Sequence, residues 1–388
     1  MSNQQDANAL EEMQKDFEEA AQLEKLKSET AKKKAVLDAK RVNNEIKRQE
    51  QDEKDLEAIS GANYGTLSDD QILEYQNDHT DYIQAAKECM TFINEEFDNI
   101  VPFFRKNIIL ACAKSGDGKS TAVANIAFSV MSQKDPKTGK RRKTLILSNE
   151  ENPSDVYARV MCLGKGWSYT NHSKFSEEQT KLFNKGIGHL AKEGGITVIA
   201  DNYNGGHGVT TSPEGIKTVL DNLIKNEIWY DCIIIDYYQN VIYSKENSKA
   251  NEWEAQAKLC RILDQYKNVY PAPIVVMAQM DPPTENNPKP YQHRLQGRKL
   301  IVTQSTLILE MSADRAKRTT NWTSHKSRFT EAVGKDVVTG FDNGKYVPYN
   351  EAFEAKVQKW RDAQEERELN KKISIPDAFN KEEDDVPE

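Results

Sequence analysis

Five short apolar runs recur through the middle of the chain, and longer segments with helical spacing of apolar residues separate them. The runs are rich in Ile, Val and Leu, as strands buried on both faces of a sheet are. They lie at 108–110, 144–147, 196–199, 230–237 and 274–278. The intervening segments predict helices at 122–130, 152–195, 211–226 and 253–266. Because strands and helices alternate, the pattern predicts an α/β fold around a central, mostly parallel, twisted sheet.

Further apolar stretches extend this pattern toward the C-terminus. Residues 307–311 and 322–329 predict the last long strands, and the turn residues within 341–346 predict a hairpin. Phe353, Val357 and Trp360 then recur at helical spacing and predict a final helix. The acidic residues that follow are expected to be disordered.

The N-terminal sixty residues have a different composition. Glu, Lys, Asp, Gln and Ala dominate, and neither Pro nor Gly occurs before Gly61, so the segment favours helix. Two interpretations stay open: a solvated, partly frayed helix, or a genuine coiled coil or partner-docking helix. After Gly61, Ser68 predicts the cap of a second helix that runs to about Glu96 and packs on the main domain or on a neighbouring subunit.

These observations divide the chain into four parts. We expect a charged helical or coiled-coil extension over 1–60, a helical linker over 61–97, a main domain over 98–350, and a C-terminal helix with an acidic tail over 351–388. The low mean hydropathy of −0.77 indicates that part of this length is not packed in a core.

Charge and cysteine usage narrow the classes of protein. The 388 residues carry a net charge of −8, so any contact with nucleic acid must come from local basic loops. One basic turn, 134–143, fits either a solvated loop or such a contact. The five scattered cysteines form no C-x-x-C pair, which argues against a zinc ribbon and for a reducing compartment. Without a long apolar run, we expect a soluble, cytoplasmic protein with no membrane contact.

Phosphate-binding chemistry follows directly on the first apolar run. The loop and the first helical turn after it supply Ala113, Ser115, Gly116, Asp117, Gly118, Lys119, Ser120 and Thr121. The glycines let backbone N–H groups point inward at a helix N-terminus, where an anion binds. Lys119 provides a cation for phosphates, and Ser120 a hydroxyl for Mg²⁺. This pattern predicts a bound nucleoside triphosphate with Mg²⁺, although Ala113 stands where the usual pattern has Gly.

Carboxylates end two of the predicted strands. Asp236 closes a hydrophobic strand in the form expected of a Walker B residue, which holds the Mg²⁺ water shell opposite Ser120. Glu150 and Glu151 follow another strand. Since ligand sites of α/β sheets form at the carboxyl edge, we expect these side chains at one site.

Together these motifs resemble the RecA-like ATPase domain of DnaB-type (superfamily 4) hexameric replicative helicases, including bacteriophage members. The resemblance covers about residues 95–350 and rests on five segments that are similar to the family's motifs. They are 107–120, with the Ala that the family often has at Ala113, 148–151, 235–239, 276–280 and 325–328. The family identification implies a P-loop of the Walker A type, ATP and Mg²⁺ as cofactors, and a homo-hexameric ring.

The resemblance also implies roles for individual residues. Glu150 would be the base that polarises the attacking water, with Glu151 as the less favoured choice. Gln279 would sense the γ-phosphate and couple it to the DNA-binding loops. Arg328 would be an arginine finger that enters the neighbouring subunit's site, with Lys326 as its companion.

The implied activity is ATP-driven translocation on single-stranded DNA and unwinding of duplex during replication. Phosphates of the DNA would meet basic residues of two polar loops, namely Lys245, Lys249, Arg294, Arg298 and Lys299. A replisome partner would dock through the N-terminal helix or the acidic tail, in a bacterial or phage-infected cell. Residues 1–60 and the stretch 296–299 depart from the family pattern, and both departures concern strand separation rather than ATP hydrolysis.

Two alternatives stay open at this stage. The first is a RecA- or KaiC-like DNA-dependent ATPase for recombination or regulation that does not separate strands. The second is a loader or switch whose N-terminal helix docks a partner.

Overall fold

The computed structural model describes residues 68–87, 90–101, 107–193, 195–201, 209–241, 249–270, 272–282, 289–297, 299–328 and 331–373. The chain divides into two compact units, residues 1–78 and 79–388. The helix predicted over 1–60 and the acidic residues 381–388 lie outside the described residues, so both stay predictions. No helix in the described ranges combines the length and the apolar character that crossing a bilayer requires.

The helix predicted after Ser68 is present but shorter than expected. Helix α1 (Asp69–Lys87) begins with a reciprocal cap in which the Ser68 hydroxyl accepts from the Gln71 N–H and the Gln71 side chain accepts from the Ser68 N–H. The prediction that it continues to about Glu96 is wrong. Asn94 starts a new helix instead, because its side chain accepts the backbone N–H of Phe97, and α2 follows at Glu95–Ile100.

A nine-stranded sheet forms the centre of the described part of the chain. Its strands are β1 Ile108–Ala113, β2 Thr144–Ser148, β3 Ile196–Ala200, β4 Cys232–Asp236, β5 Ile274–Gln279, β6 Leu307–Asp314, β7 Thr319–Ser327, β8 Asp336–Asp342 and β9 Lys345–Pro348. Their spatial order is β3-β2-β4-β5-β1-β6-β7-β8-β9. The first six strands in this order are parallel, and the last three continue the sheet in antiparallel fashion.

Helices connect the parallel strands, and one more helix follows β9. The connecting helices are α3 Lys119–Ser132, α4 Pro153–Lys165, α5 Glu177–Glu193, α6 Pro213–Lys225, α7 Lys249–Val269, α8 Tyr291–Arg294 and α9 Leu300–Gln304, and the helix after β9 is α10 Glu351–Ile373. The capping pattern before α6 is confirmed, since the Ser212 hydroxyl accepts from the Gly215 N–H at 3.1 Å. Short 3₁₀ helices occur at Tyr169–Lys174 and Tyr238–Asn240.

Two hydrophobic clusters cover the two faces of the sheet. Along β1, Ile109 packs with α3 and α4 in one cluster, whereas Ile108 and Leu110 pack with α6 and α7 in the other. Every residue of β1 is buried, which explains why its sequence is a continuous apolar run rather than an alternating one. The predicted α/β fold with a mostly parallel central sheet is therefore confirmed.

The predicted hairpin joins β8 to β9 and contacts α3, the helix that follows β1. Asn343 (φ 49°) and Gly344 (φ 88°) adopt the left-handed conformation that a tight hairpin requires. Asn125 on α3 donates to the Gly344 carbonyl at 2.8 Å and accepts the Tyr346 N–H at 3.0 Å. This pair of bonds places the hairpin beside the start of α3.

Candidate nucleotide site

The loop between β1 and α3 has the geometry of an anion site. Gly116 (φ 85°) and Gly118 (φ 92°) adopt left-handed backbone angles that residues with a side chain rarely take. Gly118 precedes the helix without any side-chain cap, so the first N–H groups of α3 lack a side-chain acceptor. A Cβ at Gly118 would lie 3.4 Å from the Tyr346 hydroxyl. All eight residues predicted for this loop lie in the end of β1, the turn and the first turn of α3.

Asp236 is an ionisable group without a partner at the same sheet edge. It is 1% exposed, and neither carboxylate oxygen has a hydrogen-bond partner among the described residues. The pKa of Asp236 is raised to about 7, chiefly by burial and also by the nearby Glu151 and Glu150, while Lys119 and Arg159 act in the opposite direction. Such an orphaned carboxylate needs a cation.

Magnesium fits this need. The described residues contain no group of three or more His, Cys, Asp or Glu side chains that could cage a metal ion. Mg²⁺ commonly keeps several waters and takes one or two carboxylates plus substrate phosphates. Asp236 and the Ser120 hydroxyl are the residues that would hold it. Asp236 ends β4, Ser120 lies in the first turn of the helix that follows β1, and β5 lies between these two strands.

Asn149 fixes the position of Asp236, a role that the sequence pattern did not predict. Its N–H donates to the Asp236 carbonyl at 2.8 Å. Its side chain accepts from the Tyr237 N–H at 2.9 Å and donates to the Tyr237 carbonyl at 3.0 Å. The peptide bond between Asp236 and Tyr237 is cis. An amide side chain directly after a buried strand is the only sequence signal for this clamp between β2 and β4.

The structure separates the two candidate bases. Glu151 forms an ion pair with Arg159 at 2.8 Å, and the Arg159 guanidinium also lies 4.3 Å from the centre of the Tyr169 ring. Glu150 is exposed and has no hydrogen bond or ion pair with described residues. Because Arg159 occupies a Glu151 oxygen while the Glu150 carboxylate is open to solvent, the geometry favours Glu150 as the group that contacts a water.

Matched amide substitutions test this assignment. Glu150→Gln is expected to lower ATP turnover by about 10²–10⁴-fold, since an amide cannot accept the water's proton. Glu151→Gln removes an ion pair of the same strand end and is expected to change turnover far less. Steady-state phosphate release, with nucleotide affinity measured separately, compares the two. Equal losses of turnover in both variants would contradict the assignment.

Gln279 lies beside the loop through strand pairing. It ends β5 opposite Ala113, and the next residue, Met280, donates to the Ala113 carbonyl at 3.0 Å. Gln239 holds the backbone of Gln279 from the other side, accepting its N–H at 2.9 Å and donating to its carbonyl at 3.0 Å. The Gln239 amide also donates to the Gln296 carbonyl at 2.8 Å, a bridge that the sequence did not predict.

Lys326 and Arg328 lie near the N-terminal end of β1, whereas the glycine loop follows its C-terminal end. Lys326 pairs with Ile308, and the Arg328 N–H bonds the Thr306 carbonyl, which places Arg328 level with the beginning of β1. Ala113 is about 16 Å further along that strand at ~3.3 Å per residue. Both cationic groups donate to the Thr303 carbonyl. The nucleotide loop of the same subunit is therefore out of their reach.

The residues predicted to bind DNA fall into different environments. Lys245 and Arg298 lie outside the described residues, as does the side chain of Lys249. Lys299 is exposed. Arg294 is only 7% exposed, and its guanidinium pairs with Glu310. A contact between Arg294 and a DNA phosphate stays a prediction that would require this ion pair to open.

A pocket of about 430 Å³ adjoins the loop. Arg315 at its edge donates to the Gly116 carbonyl at 3.1 Å. The Arg318 guanidinium lies 4.9 Å from the centre of the Trp360 ring, and both side chains line the pocket. Flat guanidinium and aromatic groups suit a planar ring system. Sequence reasoning missed these residues because they lie about 200 positions or more from the loop.

Comparison with known proteins establishes the fold. No protein-family model and no curated protein matches the sequence. Solved structures do match. Among them is the ATPase domain of a phage protein, at 14% identity and a TM-score of 0.58, covering 73% of this chain and 100% of that one. Another is a DnaB-like replicative helicase described with its interactions with primase, at 15% identity and a TM-score of 0.56, covering 82% of this chain and 77% of that one. The predicted DnaB-type, RecA-like fold is thereby confirmed.

Proposed function

We propose that this chain, which has the fold of DnaB-like ATPase domains, hydrolyses ATP with Mg²⁺ to translocate on single-stranded DNA and separate duplex during replication. The observation that carries the ATPase assignment is the buried, unpartnered Asp236 carboxylate at the edge of the glycine loop. A buried carboxylate without a partner destabilises the folded state unless it binds a cation. The similarity of fold supports the finer assignment to replication.

The residues of the site divide the work of hydrolysis. The N–H groups of the loop and the Lys119 ammonium bind the β- and γ-phosphates. Ser120 and Asp236 hold Mg²⁺, which neutralises phosphate charge when it is bound. Glu150 accepts the proton of the attacking water, and the Gln279 amide, at the end of the adjoining strand, senses the γ-phosphate.

The site needs a second subunit. Arg328 and Lys326 lie at the sheet edge away from their own loop, so they suit a neighbour's γ-phosphate in a head-to-tail ring. We propose a homo-hexamer of this kind. The four described cysteines are buried and form no disulfide, in keeping with the reducing cytoplasm of a bacterial or phage-infected cell.

DNA would pass the β4–α7 and β5–α9 connections. Lys299 is an exposed cation in the described part of these segments, with Lys245, Lys249 and Arg298 as further candidates. Residues 1–60 and the acidic tail are the proposed contacts for a replisome partner.

Two assays test the proposal. ATP turnover is expected to rise at least several-fold with single-stranded DNA, and a forked duplex is expected to be unwound with ATP. Lys119→Ala should lose both activities, because it removes the phosphate-binding cation. Stimulated turnover without unwinding would identify a RecA- or KaiC-like ATPase instead. No stimulation by DNA would refute the proposed function.

A deletion distinguishes the loader alternative from the proposed helicase. Removing residues 1–60 is expected to leave DNA-stimulated turnover and unwinding in place. If a partner is captured by the full chain and not by the deletion, while the full chain fails to unwind, the loader interpretation is correct.

A further inference from the structure

Glu310 is the centre of a charged cluster outside the nucleotide site. Its two oxygens accept from Arg294 at 2.6 and 2.5 Å, a two-pronged contact, and one of them lies 2.6 Å from His325 Nε2. The side chains of Arg294 and Glu310 are 9% and 18% exposed. Tyr291 stacks on the His325 ring with 4.4 Å between ring centres and 8° between planes. The cluster is therefore ordered and mostly shielded from water.

Glu310, Arg294 and His325 belong to three different segments of the chain. Glu310 lies on β6 opposite Cys112, one residue before the nucleotide loop begins at Ala113. Arg294 belongs to the connection between β5 and α9, and His325 directly precedes Lys326 on β7. One carboxylate thus joins the strand beside the loop, the proposed DNA-contacting segment and the proposed arginine-finger strand.

Arg294 also bonds to Asp281, at the other end of the connection between β5 and α9. Its carbonyl accepts the Asp281 N–H at 2.8 Å, and its guanidinium donates to the Asp281 carbonyl at 3.3 Å. The Gln296 side chain donates to the Asp281 carboxylate at 2.6 Å. The ends of the 281–296 segment are therefore held together, so a shift of the segment must move Arg294 and pull on Glu310.

The charge on Glu310 persists across the neutral range. Burial alone would raise the pKa of Glu310, but hydrogen bonds from His325 and Arg294 and their charges lower it to about 2. The contact with Arg294 is consequently a charged pair at every pH where the protein is active.

We propose that Glu310 is a positioning residue that transmits DNA binding along residues 289–297 and 299 to Lys326 on β7 and to Arg328 directly after it. This inference rests on the proposed function, because it presupposes that DNA stimulates turnover. A two-pronged charged contact has strict geometry, so displacement of Arg294 is passed to Glu310 and, through the shared oxygen, to His325. Lys326 on β7 and Arg328 directly after it then change their position toward the adjoining subunit's site.

A double substitution tests the transmission without leaving a buried charge. Arg294→Met/Glu310→Met replaces the pair by apolar side chains of similar length, which folded proteins usually tolerate. Either single change leaves the other charged side chain buried without its partner. We expect the double variant to melt within a few degrees of the wild type, and its turnover without DNA is measured as its own reference. Stimulation by single-stranded DNA is expected to fall to nearly onefold.

DNA affinity measured at several salt concentrations distinguishes a contact from a relay. If Arg294 binds a phosphate, its removal lowers the slope of log affinity against log salt by about 0.7. A relay residue leaves that slope and the affinity unchanged while stimulation is lost, which is the outcome we expect. Stimulation retained in a well-folded double variant, or a reduced slope, would overturn the inference. Absence of stimulation in the wild type would instead refute the proposed function itself.

Discussion

Replacing Arg328 by alanine is expected to reduce ATP turnover by about 10³-fold or more while leaving nucleotide binding nearly intact, because a finger cation acts on transition-state charge. The expectation depends on the position of Arg328, level with the start of β1 and bonded to the Thr303 carbonyl. A cation at that edge cannot reach the loop of its own subunit. Single-turnover hydrolysis and equilibrium binding of a non-hydrolysable ATP analogue measure the two quantities.

Mixing two inactive variants tests whether Arg328 acts in the neighbouring subunit. Arg328→Ala subunits retain Glu150, and Glu150→Gln subunits retain Arg328. In a head-to-tail ring with random order, up to about a quarter of all sites regain both groups, so the mixture is expected to hydrolyse ATP although neither component does. Arg318→Ala, which removes an arginine from the pocket side, is the matched control and should not be rescued through a Glu150→Gln neighbour. A mixture as inactive as its components would contradict the trans role.

Replacing Asp236 by asparagine is expected to move activity and stability in opposite directions. Turnover should fall by about 10³-fold or more, since the carboxylate that holds Mg²⁺ is lost. Stability should rise, because burial raises the pKa of Asp236 to about 7 from a usual 3.8 and asparagine mimics the neutral form. Functional sites commonly hold such destabilising groups.

The stability gained by Asp236→Asn is expected to depend on pH. A carboxyl group whose pKa is raised in the folded state stabilises the fold while it is protonated, and that stability is lost as pH rises from 3.8 toward about 7. The stability gained by Asp236→Asn should therefore be larger at pH 8 than at pH 5, by about 2 kcal/mol. Denaturant unfolding of the nucleotide-free protein measures it. Glu150→Gln, an exposed change at the same strand end, should show a much smaller difference, because Glu150 contributes less to the raised pKa of Asp236 than burial does. An equal gain for Asp236→Asn at both pH values would refute the interpretation.

Much of the fold could be predicted because its signals are local. A strand buried on both faces needs a continuous apolar run, and a tight hairpin needs residues such as Asn343 and Gly344 that accept left-handed angles. The glycine loop likewise carries its chemistry in adjacent residues. The helix after Ser68 is shorter than its pattern predicts: it ends at Lys87, and Asn94 caps a separate short helix.

The missed features depend on partners distant in the chain. Asn149 bonds Tyr237 across 88 positions, and nothing in the local pattern of either segment indicates the other. Arg294 lies in a polar connection, where charged side chains are usually solvated, and only folding brings Glu310 to it. The residues around the pocket beside Gly116 were missed for the same reason.

The bonds from Asn125 to the β8–β9 hairpin also constrain how the protein can be made. Asn125 and Gly344 are 219 positions apart. At a synthesis rate of ~5–20 residues per second, the helix behind the nucleotide loop leaves the ribosome roughly 10 to 40 seconds before its hairpin partner exists. Throughout that interval the buried amide of Asn125 lacks these two bonds. A nascent chain therefore cannot complete the surroundings of its nucleotide loop until the final strands of the sheet have been translated.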